Sequence, residues 1–127
     1  MERAFARVLA IAASTNLPGI EAGTSYGTPS LKVAGKFMAR LRDADTLVVR
    51  CPLAEKAFLL EAAPDLFYET DHYKGYDAIL LRLDVADDAT IAGRIEVAWR
   101  MQAPKKLQTA AADLAALPSI TATARQG

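Results

Sequence analysis

Lys32, Lys36, Arg40, Arg42 and Arg50 fall within one stretch, Leu31–Cys51, in which apolar and polar residues alternate. Successive side chains of a strand point to opposite faces, so such a run has one buried and one wetter side. Across 36–42, Phe37, Ala39 and Leu41 share one side, and Lys36, Met38, Arg40 and Arg42 the other. Across 46–51, Leu47, Val49 and Cys51 oppose Thr46, Val48 and Arg50, while upstream Leu31 and Val33 flank Lys32. All five bases therefore gather on the less apolar side. Arg82 joins them from the run 78–83, where Ala78, Leu80 and Arg82 oppose Ile79, Leu81 and Leu83. Cations spread over one sheet face can touch successive phosphates, and that contact supplies most non-specific affinity for DNA. It positions a duplex without reading its bases. Met38, Val48 and Leu80 interrupt the charge, so the same open face also suits a dimer or another protein partner.

Other chemistry has less to stand on. His72 is the sole histidine and Cys51 the sole cysteine, which excludes a histidine or cysteine metal cluster and an intrachain disulfide. Asp71 and Asp77 flank the loop His72-Tyr73-Lys74-Gly75-Tyr76 as ligands of a hard metal would. The simpler reading has His72, Tyr73 and Tyr76 capping the end of the sheet. A small-ligand pocket at this loop, with Trp99 or Tyr26 nearby, is the alternative. Cys51 lies on the core side of its strand with no activating base beside it. Ser14, Ser25 and Ser30 lack the G-x-S-x-G elbow, and no glycine-rich phosphate loop is present. No catalytic residue, metal or cofactor is expected.

The net charge is zero, but its distribution is uneven. Residues 1–54 hold seven Lys/Arg against four Asp/Glu, 55–88 three against nine, and 89–127 five against two. A neutral molecule can carry a basic face in this way. The competing reading is that these are ordinary solvated charges.

The elements that must position these residues follow from period and punctuation. Glu2 to about Ser14 reads as a helix with Phe5, Val8, Leu9 and Ala12 inward, closed by Asn16-Leu17-Pro18-Gly19. Its charges at Glu2 and Arg7 argue against a signal peptide. Ile20–Tyr26 is an irregular lead-in and Gly27-Thr28-Pro29 a turn or bulge. Three strands follow, the last two joined by Asp43-Ala44-Asp45. Leu53–Ala62 reads as a helix with Leu53, Ala57, Leu60 and Phe58 inward, then come strands at 66–70 and 78–83. Asp87 or Asp88 caps a helix whose inner stripe is Ile91, Ile95, Ala98, Trp99 and Gln102. Pro104 ends it, and 105–117 forms a further helix through Leu107, Ala111 and Leu114.

The expected architecture is α+β, a two-layer α-β3-α-β2-α sandwich with an antiparallel sheet and an extra C-terminal helix. At 127 residues this is one domain, 1–118, with 119–127 a flexible tail. No apolar run approaches the roughly 20 residues that span a membrane, so a cytoplasmic protein without a membrane partner is expected.

Several motifs taken together resemble the MmcQ/YjbR-like family. They are Tyr26-Gly27-Thr28-Pro29, Leu31-Lys32-Val33, Gly35-Lys36-Phe37 with Ala39, Cys51-Pro52, Pro64, and the His72–Tyr76 loop. The strand Ile79–Leu83, Ala98-Trp99-Arg100 and Ala103-Pro104-Lys105-Lys106 complete the set. The resemblance implies an α-β3-α-β2-α fold akin to type III secretion chaperones. It also implies DNA binding without naming a motif or residue for it. The expected function is therefore non-catalytic, non-sequence-specific binding of double-stranded DNA by the basic face. The alternative is a chaperone-like protein-interaction or homodimerisation module that uses the same face.

Overall fold

The computed structural model describes residues 1–116, so the expected tail at 119–127 lies outside the described residues. Helix α1 (Glu2–Ser14) leads into four consecutive strands, β1 (Ile20–Ser25), β2 (Thr28–Val33), β3 (Lys36–Asp43) and β4 (Thr46–Arg50). Helix α2 (Leu53–Ala62), the short strand β5 (Phe67–Tyr68), a single 3-10 turn (Asp71–Tyr73) and β6 (Ala78–Arg82) follow. The described chain closes with α3 (Asp88–Gln102) and α4 (Lys105–Ala116). All pairings are antiparallel, in the spatial order β1-β2-β3-β4-β6-β5. The α+β class is as expected, with one strand more before α2 than the sequence reading placed there. Ile20–Ser25 is that strand. As the sheet edge it is wet on both sides, so its alternation carries no apolar signature. Pro29, read as part of a turn, is the second residue of β2, opposite Thr24.

The first two hairpins turn on Tyr26-Gly27 and Ala34-Gly35, with positive φ at all four residues. Two such residues give the turn whose twist matches that of the flanking strands.

Helices α1, α2 and α3 cover one sheet face. Trp99 is fully buried there among Leu31, Val33, Leu41, Leu47, Ile79 and Leu81, and its Nε1 donates to Pro18 O at 2.9 Å. The expected α3 stripe is the observed one: Ile91, Ile95, Ala98 and Trp99 are buried, and Gln102 Nε2 donates to Phe37 O at 2.8 Å. Asp87 caps α3 by accepting from the Thr90 N–H, and hydrogen bonding from Thr90, its side chain first and its backbone second, holds the Asp87 carboxyl below the usual carboxylate range. In α1 Val8 and Ala12 are buried and Phe5 packs on the core as expected, but Ile11 takes the inner place read for Leu9, which is 36% exposed. On α4, Leu107 and Ala111 pack against the core while Leu114 is exposed. At Gly19 φ is 81°, which favours glycine, and a Cβ there would come within 2.7 Å of the Leu107 side-chain tip, so α4 docks closely on this turn.

Helix α2 departs most from expectation. Leu53, Ala57 and Phe58, read as inward, are exposed, Phe58 by 68%. The inner face is Lys56 with Leu59, Leu60 and Ala63, which keep i, i+3, i+4 and i+7 spacing. Pattern reading rotates this helix wrongly because its buried anchor is a lysine.

Candidate functional site: a cationic and aromatic cleft on the sheet

Opposed residues of paired strands share a face. On the side away from the helices this places Lys32, Phe37, Arg40, Val48, Arg50, Ala78, Leu80, Tyr68 and Arg82. Five of the six expected bases are thus on or beside one face: Lys32, Arg40, Arg42, Arg50 and Arg82. Lys36 is not. It stands opposite Val33, whose side chain is in the helix-side core, so Lys36 leaves the basic set. The cause is a β-bulge. Leu31 pairs with Ala39 and Lys32 with Phe37, which leaves Met38 as the extra residue. A bulge inverts the alternation before it. Met38 turns into the helix-side core, Phe37 turns out of it, and Lys36 crosses over. A second bulge at Arg42 lets that exposed guanidinium stand beside Arg40 in a hollow of about 370 Å³ shared with Tyr26 and His72.

The expected open face is also not bare. Val48, Ala78 and Leu80 form a second, small core, buried beneath Phe37, Tyr68 and Tyr73. Phe37 and Tyr68 belong to the sheet itself, and Tyr73 comes from the segment 71–77, which folds back over it. Lys56 holds it there. Its Nζ, almost fully buried, donates to Tyr73 O at 2.8 Å and Tyr76 O at 2.9 Å and pairs with Glu69 Oε2 at 2.9 Å. Arg40 holds it from the sheet, with Nη2 donating to Tyr73 Oη at 2.7 Å and Nη1 to Thr28 Oγ1 at 3.3 Å. Arg50 forms an ion pair with Asp77. The Nε–H groups of Arg40 and Arg50 are buried without an acceptor among the described residues. Arg82 is placed 4.2 Å from the Tyr68 ring centroid, a cation–π contact.

Because Leu80 is fully buried, Leu80→Asp is expected to unfold the protein rather than change its association state. The cost should be on the order of 4 kcal/mol or more, visible as a collapsed thermal melting transition. A wild-type melting curve from this variant would show that the second core is not closed.

Between the Tyr26 turn and the 71–77 segment lies a cleft of about 670 Å³. Lys32, Phe37, Arg50 and Ala78 line it from the sheet, and His72, Tyr73, Tyr76 and Asp77 from the loop. His72, Tyr73 and Tyr76 meet edge to face, with ring centroids 4.8 to 6.4 Å apart. Of the loop residues singled out in the sequence, Lys74 is exposed and not part of this lining. Tyr26 does stand across from the loop. Trp99 does not, being buried in the helical layer. Phe37, Lys56 and Tyr68 escaped the sequence reading. The i, i+3, i+4, i+7 spacing of Lys56 with Leu59, Leu60 and Ala63 was the signal for one of them.

Neither Asp71 nor Asp77 builds a metal site: among the described residues no three His, Cys, Asp or Glu side chains converge to hold an ion. Cys51 is fully buried. Burial pushes its thiol above the ordinary value, with the nearby Arg94 guanidinium only partly opposing this. Stability from the neutral thiol is present below the ordinary thiol range and lost as pH rises through the higher folded value. Alkylation of Cys51 at neutral pH is therefore expected to be slow in the native protein and fast in denaturant. Equal rates in the two states would show the thiol to be accessible.

The fold and this face define a class: an α+β sandwich whose sheet, on the side away from the helices, is lined with cations and aromatic rings. The YjbR family matches residues 15–101, and the chain belongs to that family. Uncharacterised proteins of Mycobacterium tuberculosis and Mycobacterium bovis are 38% identical to it over 52 residues, 41% of this chain and 40% of each relative. The chain thus spans about two fifths of the length of the curated relatives it matches. No solved structure gives a significant match. Among the described residues no helix is long and apolar enough to cross a membrane.

Proposed function

We propose that this chain is a non-catalytic DNA-binding protein that holds phosphates on the sheet face away from its helices, without reading sequence. One observation carries the reading. Lys32, Arg40, Arg42 and Arg82 come from three strands to one face, and none of them forms an ion pair among the described residues. Arg50 contributes less, since Asp77 neutralises it. The residues that favoured a protein interface on this face, Met38, Val48 and Leu80, are all buried within the chain itself, which leaves cations and tyrosines outermost. That balance suits a polyanion better than an apolar partner surface. Chemistry at the lone thiol has little support, because Cys51 is buried and held protonated.

The reading is tested by titrating labelled DNA into the protein at low and moderate salt, with the mass measured by light scattering on the same sample. Binding that weakens steeply with salt is the expected result. Absence of any retention at low salt would overturn it.

A further inference from the structure

We infer that the cleft between the Tyr26 turn and the 71–77 segment is a pocket for one unpaired nucleobase with its phosphate, so that the protein prefers single-stranded to duplex nucleic acid. This rests on the DNA-binding reading and names the form of the ligand.

The first ground is size. About 670 Å³ falls in the range of small-ligand sites, roughly 300–1,000 Å³, and admits a base and sugar but no stacked pair of strands. The second is Tyr26. It occupies a left-handed backbone conformation, φ 54°, in a two-residue turn where asparagine or glycine is the usual choice. Tyr26 is 87% exposed, and the Arg40 guanidinium lies 5.2 Å from its ring centroid. A strained position carrying an unburied aromatic gains the fold little, and such outliers collect at ligand sites. The third is the opposite wall, where Tyr76 is 57% exposed beside the exposed His72. Flat rings on both sides of a slot give a base a face to stack on, and stacking tolerates any base. The fourth is charge. Lys32 lines the cleft, forms no ion pair among the described residues, and can take the phosphate that a bound base carries in with it. Both walls are already in place, because Lys56 and Arg40 tie the loop down, so binding has little ordering to supply.

The test compares a thymidine oligonucleotide, the matching duplex and thymidine monophosphate by fluorescence anisotropy, directly or by competition. Wild type is set beside Tyr76→Ala and Tyr26→Asn. Tyr76 holds Lys56 only through its carbonyl, and asparagine accepts the left-handed conformation, so both variants are expected to melt like wild type. Single strand should bind more tightly than duplex. Either substitution should weaken the single strand roughly 5- to 150-fold, the effect of losing one stacking ring, and leave duplex affinity unchanged. Competition by the monophosphate would support a pocket for free nucleotides as well as strand segments. Equal affinity for both forms, untouched by either substitution, would overturn the pocket and leave phosphate binding standing. Failure of every probe to bind at low salt would overturn both.

Discussion

Lys32→Glu combined with Arg42→Glu is expected to reduce DNA affinity at least tenfold at low salt while leaving the melting temperature within a degree or two of wild type. These two positions are the clean ones. The Lys32 and Arg42 side chains make no hydrogen bond or ion pair among the described residues, whereas Arg40 secures Tyr73 and Arg50 pairs with Asp77. Reversing Arg40 or Arg50 would therefore disturb the loop as well as the charge. If four cations each neutralise a phosphate, the logarithm of duplex affinity should fall with that of salt by a slope of about −3.6. Between about 50 and 200 mM salt that is a loss of roughly 150-fold. The double variant should bring the slope to about −1.8, because two contacts are gone. An affinity and slope equal to wild type would place the binding surface elsewhere on the molecule.

Lys56→Met is expected to be the most damaging single change among those that keep the side-chain volume. The lysine head is almost entirely enclosed by two carbonyls and a carboxylate, and methionine can satisfy none of them. Breaking a buried ion pair by removing one partner costs about 3–5 kcal/mol, a large share of the stability of a domain this size. Chemical denaturation should show the loss as a lower midpoint with an unchanged slope. The 71–77 segment loses its anchor to α2 in the same step, so the cleft loses its far wall. Single-strand binding should fall even at temperatures where the variant is folded. An unfolding free energy within about 1 kcal/mol of wild type, the magnitude expected of exposed pairs, would show that Lys56 is effectively solvated.

The layers and most of the strands were legible because alternation and helical spacing are local. Leu47, Val49 and Cys51 had to face the same way once 46–51 was a strand, and Ile91, Ile95, Ala98 and Trp99 had to line one side of α3. Ala34-Gly35 marks a tight turn in the chain itself, whereas the first hairpin turn was read one residue late, at Gly27-Thr28-Pro29 instead of Tyr26-Gly27. By contrast Lys36, Phe37 and Met38 were assigned to the wrong sides. Their residue types fit either register, and only pairing with β2 decides where the extra residue sits. Helix α2 was rotated wrongly for a related reason, since a lysine becomes a core residue only when distant carbonyls come within its reach.

From its sequence alone this protein had an α+β sandwich, a sheet with cations on one side, and a loop rich in tyrosine, because period and residue type are properties of neighbours along the chain. Tertiary structure decided which cations are without an ion pair among the described residues, that Val48 and Leu80 are sealed beneath Phe37, Tyr68 and the loop's Tyr73, and that Tyr26 and Tyr76 line one cleft. Those facts depend on a bulge, a buried ammonium and a chain reversal. Each joins residues too far apart in the chain for any local pattern to record.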